Sequence, residues 1–424
     1  MNKLALKGNI VYAKDRDKLE IHEDSYMFVE DGKLVAISKT LDKSYKDYDL
    51  IDHSGKLIIP GFVDLHLHAP QYPNRGLGLD KELIPWLDTY TFPEESKYGD
   101  MEYSKKVFIR LINELWRLGT TRAVVFASVH KESAELLLDM FMESGLGAYV
   151  GKVNMDRNTA PEITEDTRKS IEETEEILKK YRDKSSLVKP IITPRFAPTC
   201  TEELMGALGD LALEYDAAVQ SHLNENKDEV IWVEELFPES KNYASVYDQY
   251  NLFGQTKTVM AHCIYNTDEE IELMAKNGVY AAHCPYSNYN LSSGIMPVRK
   301  FLDKGVAVGL ASDISGGNSL SMMSIIGGTV QASKMKWLDT DKELKPLSFS
   351  EAFYLATKGG GSFFGKVGSF EEGYEFDALV IDDGDLADIK DLTIEERIQK
   401  VIYIGDDRNI VERYVRGEKI EKPF

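Results

Sequence analysis

The chain has 424 residues, 43% hydrophobic and 29% charged, a balance typical of a folded soluble protein with a sizeable core. Its 71 acidic and 50 basic residues give a net charge of −21, which argues against nucleic acids and anionic membranes as partners because both would be repelled. A small neutral substrate meets no such penalty.

The cysteines and the apolar segments predict a reducing, aqueous compartment. Cys200, Cys263 and Cys284 are odd in number, widely spaced and form no CxxC pair. The opening segment has no sustained apolar stretch with a cleavage site, and no run approaches the roughly 18 apolar residues of a membrane span. We therefore expect a cytoplasmic protein.

Both ends of the chain have the character of short β-strands. Residues 3 to about 58 include a turn at Asp31-Gly32, a dipeptide that tolerates the positive φ of a tight hairpin. The segments FDALVIDD (376–383) and KVIYIGDDRNIVERYVRGEKI (400–420) near the other end are similar. Because neither end could bury a core alone, we predict that residues 1–59 and 370–424 pair into one composite β-sandwich domain.

The middle of the chain, residues 60–369, alternates short apolar runs with longer helical patterns, as βα units do. The strand candidates are FVDLHLH (62–68), TRAVVFAS (121–128), GAYVGKVNM (147–155), VKPIITPRF (188–196), AAVQSHLNE (217–225), TVMAHCIY (258–265), VYAAHCPYS (279–287) and AVGLASD (307–313). Eight such strands predict an α/β fold whose catalytic domain is a (β/α)₈ TIM-type barrel.

A long connection follows the first of these strands. Residues 77–100 contain Pro85, Trp86 and Pro93 and look irregular. Long loops after barrel strands often shape the pocket, so this segment is a candidate lid.

The sharpest local feature is the pair His66 and His68 at the end of the first barrel strand, in PGFVDLHLH. Side chains alternate along a strand, so both imidazoles point the same way, into the barrel mouth. Two imidazoles fixed in this way suit a divalent first-row metal. Taken alone, the pair could also be a chance pattern on a surface strand.

Three further polar residues lie at equivalent places on other strands. His222 is near the end of the fifth strand, His262 lies on the sixth, and Asp313 closes the eighth. Active sites of these barrels form at the carboxyl ends of the strands, so the three are expected to converge with His66 and His68. Buried polar groups need partners, which makes core packing a poor explanation for all five.

The order of these motifs resembles the amidohydrolase superfamily over essentially the whole chain. The motifs occur in the order and at the strand positions that this superfamily uses: PGFVDLHLH, SHLNE, AHC, HCPYSN and ASD. The resemblance implies a metal ion held by His66, His68, His222 and Asp313. The motifs are specific as a set, although HxH or SD alone would be weak.

The fourth strand bears on the number of metal ions. Two-metal members of the superfamily usually bridge their ions with a carboxylated lysine at the end of this strand. Here Lys189 lies near its beginning and Arg195 occupies the mouth. The resemblance therefore implies one divalent metal ion, as in the deaminase branch. We expect zinc, with iron as the alternative, because histidine and carboxylate ligands accept several metals.

Two short segments, HAPQY and PRFA, resemble the guanine deaminase branch, in which the residues matching Gln71, Arg195 and Phe196 line the purine pocket. An arginine fork matches the acceptors O6 and N7 on one edge of guanine, whereas adenine presents an amino donor there. Phe196 could stack on the ring, and Gln71 offers a donor and an acceptor. The alternatives are a carboxylate partner for Arg195, a core role for Phe196 and a loop hydrogen bond for Gln71.

Catalytic roles follow from the same resemblance. Asp313 is the expected base that takes a proton from the attacking water, assisted by His262 as hydrogen-bond partner or weak ligand. Glu225, three residues after His222, is the expected proton shuttle to a purine ring nitrogen and then to the amino group. Attack at C2 would convert guanine to xanthine and ammonia. Alternatively, Glu225 only orients His222.

The other histidines and thiols receive no role. Cys263 and Cys284 each follow a histidine directly, so strand alternation predicts that they face the helices as core thiols. The resemblance places His283 beside the pocket without contact to the metal. The histidines outside every converging strand end are His22, His53 and His130.

Two rival functions remain open. Another single-metal deaminase or an s-triazine hydrolase would share the metal residues and differ at Gln71, Arg195 and Phe196. A non-catalytic assembly protein would have no use for an intact polar site. We expect a small purine base, guanine, as the binding partner and, from the resemblance, a homodimer in purine catabolism.

Overall fold

The computed structural model describes residues 3–386 and 390–424. Its strands are β1 Lys3–Ala13, β2 Leu19–Glu30, β3 Lys33–Ser38, β4 Asp49–Pro60, β5 Phe62–His68, β6 Thr120–Phe126, β7 Gly147–Gly151, β8 Val153–Asn154, β9 Val188–Pro190, β10 Thr193–Pro194, β11 Val219–Leu223, β12 Thr258–His262, β13 Tyr280–His283, β14 Val308–Leu310, β15 Ala378–Ile381, β16 Ile410–Val415 and β17 Glu418–Lys419. Its helices are α1 Leu83–Trp86, α2 Phe92–Glu95, α3 Met101–Arg117, α4 Lys131–Ser144, α5 Thr167–Tyr181, α6 Glu202–Tyr215, α7 Lys227–Leu236, α8 Tyr243–Gln249, α9 Asp268–Asn277, α10 Pro285–Asn290, α11 Val298–Asp303, α12 Met322–Asp339, α13 Phe349–Tyr354 and α14 Ile394–Ile404. Within the described residues, none of the helices has the length and apolar character that crossing a membrane requires.

The middle strands form the predicted barrel. β5, β6, β7 and β9 make one parallel sheet, and β11 to β14 make another. A bridge between Ile192 and Val219 joins the two sheets on one side. On the other side, the backbone N–H of Asp313 donates to the carbonyl of His66 at 2.9 Å. The barrel is closed, so the expected architecture is confirmed.

Apolar side chains fill the barrel below its carboxyl end. β5 and β6 are buried along their whole length, as expected for parallel strands covered on both faces. The interior cluster includes Val63, Leu65, Val124, Ile191 and Ala261. This packing closes the barrel from below, so the polar groups at the strand ends lie above an apolar floor.

Both ends of the chain pair into one mixed sheet of seven strands, in the order β17-β16-β15-β4-β1-β2-β3. β4 runs parallel to β1 and antiparallel to β15, so strands from the two ends are direct neighbours. Asp31 and Gly32 join β2 to β3 with φ values of 47° and 77°, as the predicted turn requires. The expected pairing of the ends is confirmed, whereas the domain boundaries after residue 59 and before residue 370 stay predictions. The predicted β run at residues 400–404 is wrong, because these residues form the last turns of α14.

The connection after β5 is helical, not irregular as predicted. α1, a π-helical turn at Leu87–Thr91 and α2 follow one another without a break, and we call the stretch 83–95 the lid helix. Pro85 lies in the first turn of α1, where the missing N–H has no intrahelical partner to lose, and Pro93 follows the π-helical turn. The prediction of an irregular connection was wrong because both prolines lie at positions that a helix tolerates.

Candidate active site

The four residues predicted to hold a metal ion lie together at the carboxyl end of the barrel. His66 and His68 are on β5, His222 is on β11, and Asp313 follows β14. The Asp313 carboxylate lies 3.2 Å from His66 Nε2 and 3.5 Å from His68 Nε2. His68 Nε2 and His222 Nε2 are 3.1 Å apart. All four side chains are buried.

Hydrogen bonds determine which nitrogen of two rings faces this cluster. His222 Nδ1 donates to the backbone carbonyl of Arg195 at 2.6 Å, which leaves the lone pair of its Nε2 facing His68. His262 Nδ1 donates to the side-chain oxygen of Asn288 at 3.0 Å, and its Nε2 lies 3.7 Å from the Asp313 carboxylate. Such partners are typical of imidazoles that bind a metal ion through the other nitrogen.

The ionisation states of the cluster also suit a metal ion. Burial lowers the pKa of His66, and burial with the neighbouring rings lowers the pKa values of His68 and His222 well below their usual range. Burial alone would raise the pKa of Asp313, but its interactions with His66 outweigh this effect and lower it. Neutral imidazoles and an ionised carboxylate are the forms that bind metal ions.

Unpaired nitrogens provide the test of whether a cation fits. His262 Nε2 is buried and has no hydrogen-bond partner among the described residues, and His66 Nε2, also buried, faces only the Asp313 carboxylate at 3.2 Å. The ligand atoms of His66, His68 and Asp313 lie within 4.8 Å of one another, as do those of His66, His222 and His262. Buried lone pairs without partners are costly, and a central cation would satisfy them. The cluster can therefore hold a divalent metal ion.

Cys284 lies inside the barrel, which corrects the prediction that it faces the helices. Its thiol belongs to the interior cluster and is within 4.8 Å of the ligand atoms of His262 and Asp313. Tyr280, Ala282 and Cys284 all pack on the interior cluster, whereas Ala281 packs in the main core, so alternation along β13 brings Cys284 inward. The prediction failed because it assumed that His283 faces inward. Burial, with the charges of Asp313 and Asp64, raises the pKa of the thiol well above its usual range. A thiol that keeps its proton is a poor metal ligand.

Glu225 lies beside the cluster, with Oε2 3.5 Å from His262 Nε2. Burial and the negative charges of Glu229 and Asp313 raise the pKa of Glu225 well above its usual range. The Glu229 carboxylate accepts the backbone N–H of Glu225 at 2.8 Å and the hydroxyl of Tyr243 at 2.8 Å, so it anchors the backbone of this loop. A buried carboxyl group that retains its proton is suited to general acid catalysis.

The backbone is strained at three places in the site. Asn224, His262 and Asp313 have φ values of 52°, 73° and 45°, in the left-handed region that favours glycine. The Asn224 amide donates to Glu270 at 3.0 Å, and the N–H of Gly317 donates to the carbonyl of Asp313 at 2.7 Å. These bonds hold the strained turns, which collect at functional sites.

A cavity opens onto the cluster. All three predicted substrate residues, Gln71, Arg195 and Phe196, line it. The other lining residues are Leu83, Trp86 and Leu87 of the lid helix, Leu291, and the polar residues His68, His222, Glu225, His262 and Asp313. The cavity thus combines an apolar wall with polar groups that converge on one point, as small-molecule sites do.

Glu95, which the sequence analysis missed, connects two of the substrate residues. Its carboxylate accepts a hydrogen bond from Gln71 Nε2 at 2.9 Å and one from Arg195 Nη1 at 2.6 Å. Arg195 therefore has the carboxylate partner that was kept as an alternative, and it lines the cavity as well. The sequence offered no signal for Glu95, since an acidic pair beside a proline is typical of an exposed turn.

Three residues to which no role was assigned are Lys189, Cys263 and His283. Lys189 lies on β9, near the opposite end of the barrel, and its ammonium donates to the carbonyl of Arg182. Cys263 packs in the main hydrophobic core, as predicted. His283 is buried, and burial together with His262 lowers its pKa to about 3.

Comparison with known proteins identifies the family. The Amidohydrolase family matches over residues 57–420. The chain therefore belongs to the amidohydrolase family. Within that family it groups with the guanine deaminases. Those of Dictyostelium discoideum and Homo sapiens are 38% and 40% identical to it, with 98% of this chain and 97% and 96% of those proteins covered.

A solved structure shows the same grouping. The crystal structure of guanine deaminase from C. acetobutylicum, with bound guanine in the active site, is 53% identical to this chain, with a TM-score of 0.97. The match covers 99% of this chain and 100% of that one. The fold and the family expected from the sequence motifs are thus confirmed over the full length.

Proposed function

We propose that the chain is a guanine deaminase, which hydrolyses guanine to xanthine and ammonia with one divalent metal ion. The observation that carries the proposal is that a single cavity contains both the histidine and aspartate cluster and a buried arginine fork. The relatives named above as guanine deaminases, one of them with guanine bound, support the same substrate.

Recognition of the base is assigned to the three predicted substrate residues. Arg195 presents planar donors that match O6 and N7 of guanine, and adenine would place an amino donor against them. Phe196 offers an aromatic surface for the purine ring, and Gln71 offers further hydrogen bonds. A buried donor left unpaired by the wrong base costs binding energy, which favours guanine.

His66, His68, His222 and Asp313 would hold the metal ion. Bound there, it would make hydroxide available at neutral pH by lowering the pKa of a coordinated water. Asp313 takes the proton of the attacking water, because its pKa is lowered and it is ionised. His262, held by Asn288, orients the attacking oxygen through its Nε2.

Glu225 moves the remaining protons. Its raised pKa keeps it protonated, so it donates to a ring nitrogen of guanine and makes C2 electrophilic. Water adds to C2 with one proton going to Asp313, and the Glu225 carboxylate takes the proton of the new C2 hydroxyl and passes it to the amino group. The C2–N bond then breaks, and the proton on Asp313 returns to Glu225. Guanine and one water thus give xanthine and ammonia.

The ultraviolet spectrum provides the test. Purified, metal-loaded protein is incubated with guanine, adenine, cytosine and an aminotriazine, and the conversion of guanine to xanthine is followed along with ammonia release. We expect ammonia from guanine alone. If guanine is untouched while another base releases ammonia, the substrate assignment is wrong and the rival single-metal deaminase or s-triazine hydrolase gains support.

The proposal has four further parts. We propose that the metal ion is zinc, that the protein forms a homodimer, that it is cytoplasmic and that it acts in purine catabolism. Zinc is favoured by the imidazole-rich donor set, with iron as the alternative. Elemental analysis of protein purified without added metal would distinguish the two ions and should give one metal per chain. Sedimentation analysis would test the dimer, for which the family resemblance is the support.

A further inference from the structure

We infer that Glu95 is a positioning residue that sets the substrate preference of the cavity, because it holds Arg195 and Gln71 in place and offsets the positive charge of the arginine. The inference rests on the proposed function. Glu95 lies at the end of the lid helix, and none of the predicted roles includes it.

The first argument is geometric. Glu95 Oε2 accepts from Arg195 Nη1 at 2.6 Å, and Glu95 Oε1 accepts from Gln71 Nε2 at 2.9 Å. The carbonyl oxygen of Gln71 accepts the backbone N–H of Ser315 at 3.3 Å. One carboxylate therefore fixes the direction of two side chains that line the cavity. These hydrogen bonds connect the lid helix to the loop after β14.

The second argument concerns charge. Arg195 and Glu95 are both buried, with side chains 4% exposed, so neither charge is well solvated by water. The other titratable groups that interact with Arg195 are Glu225, His68 and His222. With Glu95 in place the arginine needs no negative charge from its ligand. The pocket therefore suits a neutral base.

The third argument concerns the donors that remain. Among the described residues, Glu95 is the side-chain partner of Arg195, and it engages Nη1. The Nε and Nη2 groups of the fork are left for a ligand, and these can meet two acceptors on one edge of a planar base. The carboxylate thus selects which edge of the guanidinium recognises the substrate.

Glu95→Gln tests the inference. Arg195 and Gln71 donate to different oxygens of Glu95, and an amide has an acceptor at only one of these positions and an NH2 donor at the other, so one contact is lost. The arginine also loses its counter-charge. We expect KM for guanine to rise by about 10- to 100-fold with a much smaller change in kcat. The metal residues and Glu225 are untouched, so metal content should be unchanged.

The product provides a second readout. Xanthine loses a proton more readily than guanine and forms an anion near neutral pH. In Glu95→Gln we expect xanthine, titrated directly onto the holoenzyme, to bind about 10-fold more tightly as the anion forms, because Arg195 now lacks a partner. In the unaltered protein the anion should gain no such advantage. General disruption of the pocket would weaken guanine and xanthine alike.

Two further variants serve as controls. Glu95→Asp keeps the charge but shortens the reach, so KM should rise while anion binding stays as in the unaltered protein. Glu94→Gln removes the neighbouring buried carboxylate, which pairs with Lys97 at 2.6 Å and accepts the Tyr103 hydroxyl at 2.5 Å, outside the cavity. It should leave both readouts unchanged.

The outcomes separate the two proposals. If the unaltered protein does not convert guanine, the proposed function fails, and the xanthine titration still tests Glu95. If guanine is converted but Glu95→Gln shows the same KM and the same xanthine binding as the unaltered protein, the role of Glu95 is refuted. Equal effects of Glu94→Gln and Glu95→Gln would also refute it.

Discussion

The two ends of the barrel both contain buried charged groups, but they satisfy them differently. At the amino end, Arg122 on β6 donates to both oxygens of Asp377, at 2.5 and 3.0 Å, and to Glu375 at 2.7 Å. Arg416 donates to the same Glu375 at 2.8 Å. At the carboxyl end, His68 Nε2 and His222 Nε2 face each other at 3.1 Å, and His262 Nε2 has no hydrogen-bond partner among the described residues.

The difference separates structural from functional polar groups. Every charge in the Arg122 network is matched within the protein, and the network connects the barrel to the strands of the terminal sheet. The histidine cluster is incomplete without something bound, and its backbone is strained at His262 and Asp313. Substitutions at the amino end should therefore affect stability, and those at the carboxyl end should affect activity.

The largest effect is expected from Glu225→Gln. The amide keeps the shape but cannot donate and recover a proton, so kcat for guanine should fall by about 10²- to 10⁴-fold. The free energy of unfolding at neutral pH should not fall, because the raised pKa of Glu225 makes its ionisation cost stability in the folded state and the amide avoids that cost. Steady-state kinetics and denaturant unfolding measure the two quantities.

The pH profile provides the control for this variant. Because the pKa of Glu225 is raised, its protonated form persists to higher pH than that of an ordinary glutamate, and it is lost as pH rises through the raised value. The kcat/KM of the unaltered protein should therefore fall on the alkaline side. Persistence of that alkaline decrease in Glu225→Gln would assign it to another group.

Arg122→Ala should lower the stability of the protein and leave its activity unchanged. Removing one partner of a buried ion pair leaves Asp377 unpaired, which costs about 3–5 kcal/mol of stability. The KM for guanine should be unchanged, because Arg122 lies at the far end of the barrel from the cavity. Denaturant unfolding, with kinetics on the folded fraction, would check both expectations.

The matched control is Arg416→Ala. Arg416 is 31% exposed and binds the same Glu375, so its loss should cost less than about 1 kcal/mol. If the two arginines cost the same, burial is not what makes the Arg122 network structural. A change in KM from Arg122→Ala would mean that the two ends of the barrel are coupled.

The predictable part of the site depends on regular strands. His66 and His68 share a face because strand residues alternate, and His222, His262 and Asp313 converge because parallel strands end at one rim. These rules need no knowledge of which side chains touch. They located the cluster, and the chain order of the motifs identified the family.

The part that sequence reasoning missed lies where regular structure stops. The lid helix accommodates prolines that argued against a helix. Glu95 reaches Arg195, 100 residues away in the chain, through a packing contact that no local pattern encodes. Substrate selection therefore depends on contacts that had to be seen in three dimensions.

Arg195→Lys is expected to have an intermediate effect. The ammonium keeps a positive charge beside Glu95 but lacks the planar fork. The kcat/KM for guanine should therefore fall by an amount that corresponds to about 1–3 kcal/mol. Stability should be nearly unchanged, since the buried ion pair survives. Equal losses for guanine and an unrelated substrate would indicate that the side chain is structural.

The smallest effect is expected from Lys189→Ala, which tests whether Lys189 has a role in metal binding. The ammonium of Lys189 donates to the carbonyl of Arg182, on the side of the barrel away from the cluster. Its removal should change stability by about 0.5 kcal/mol or less and leave the metal content and kcat unaltered. A fall in metal content would contradict a single-metal site, because only a lysine that reaches the cluster could bridge two ions.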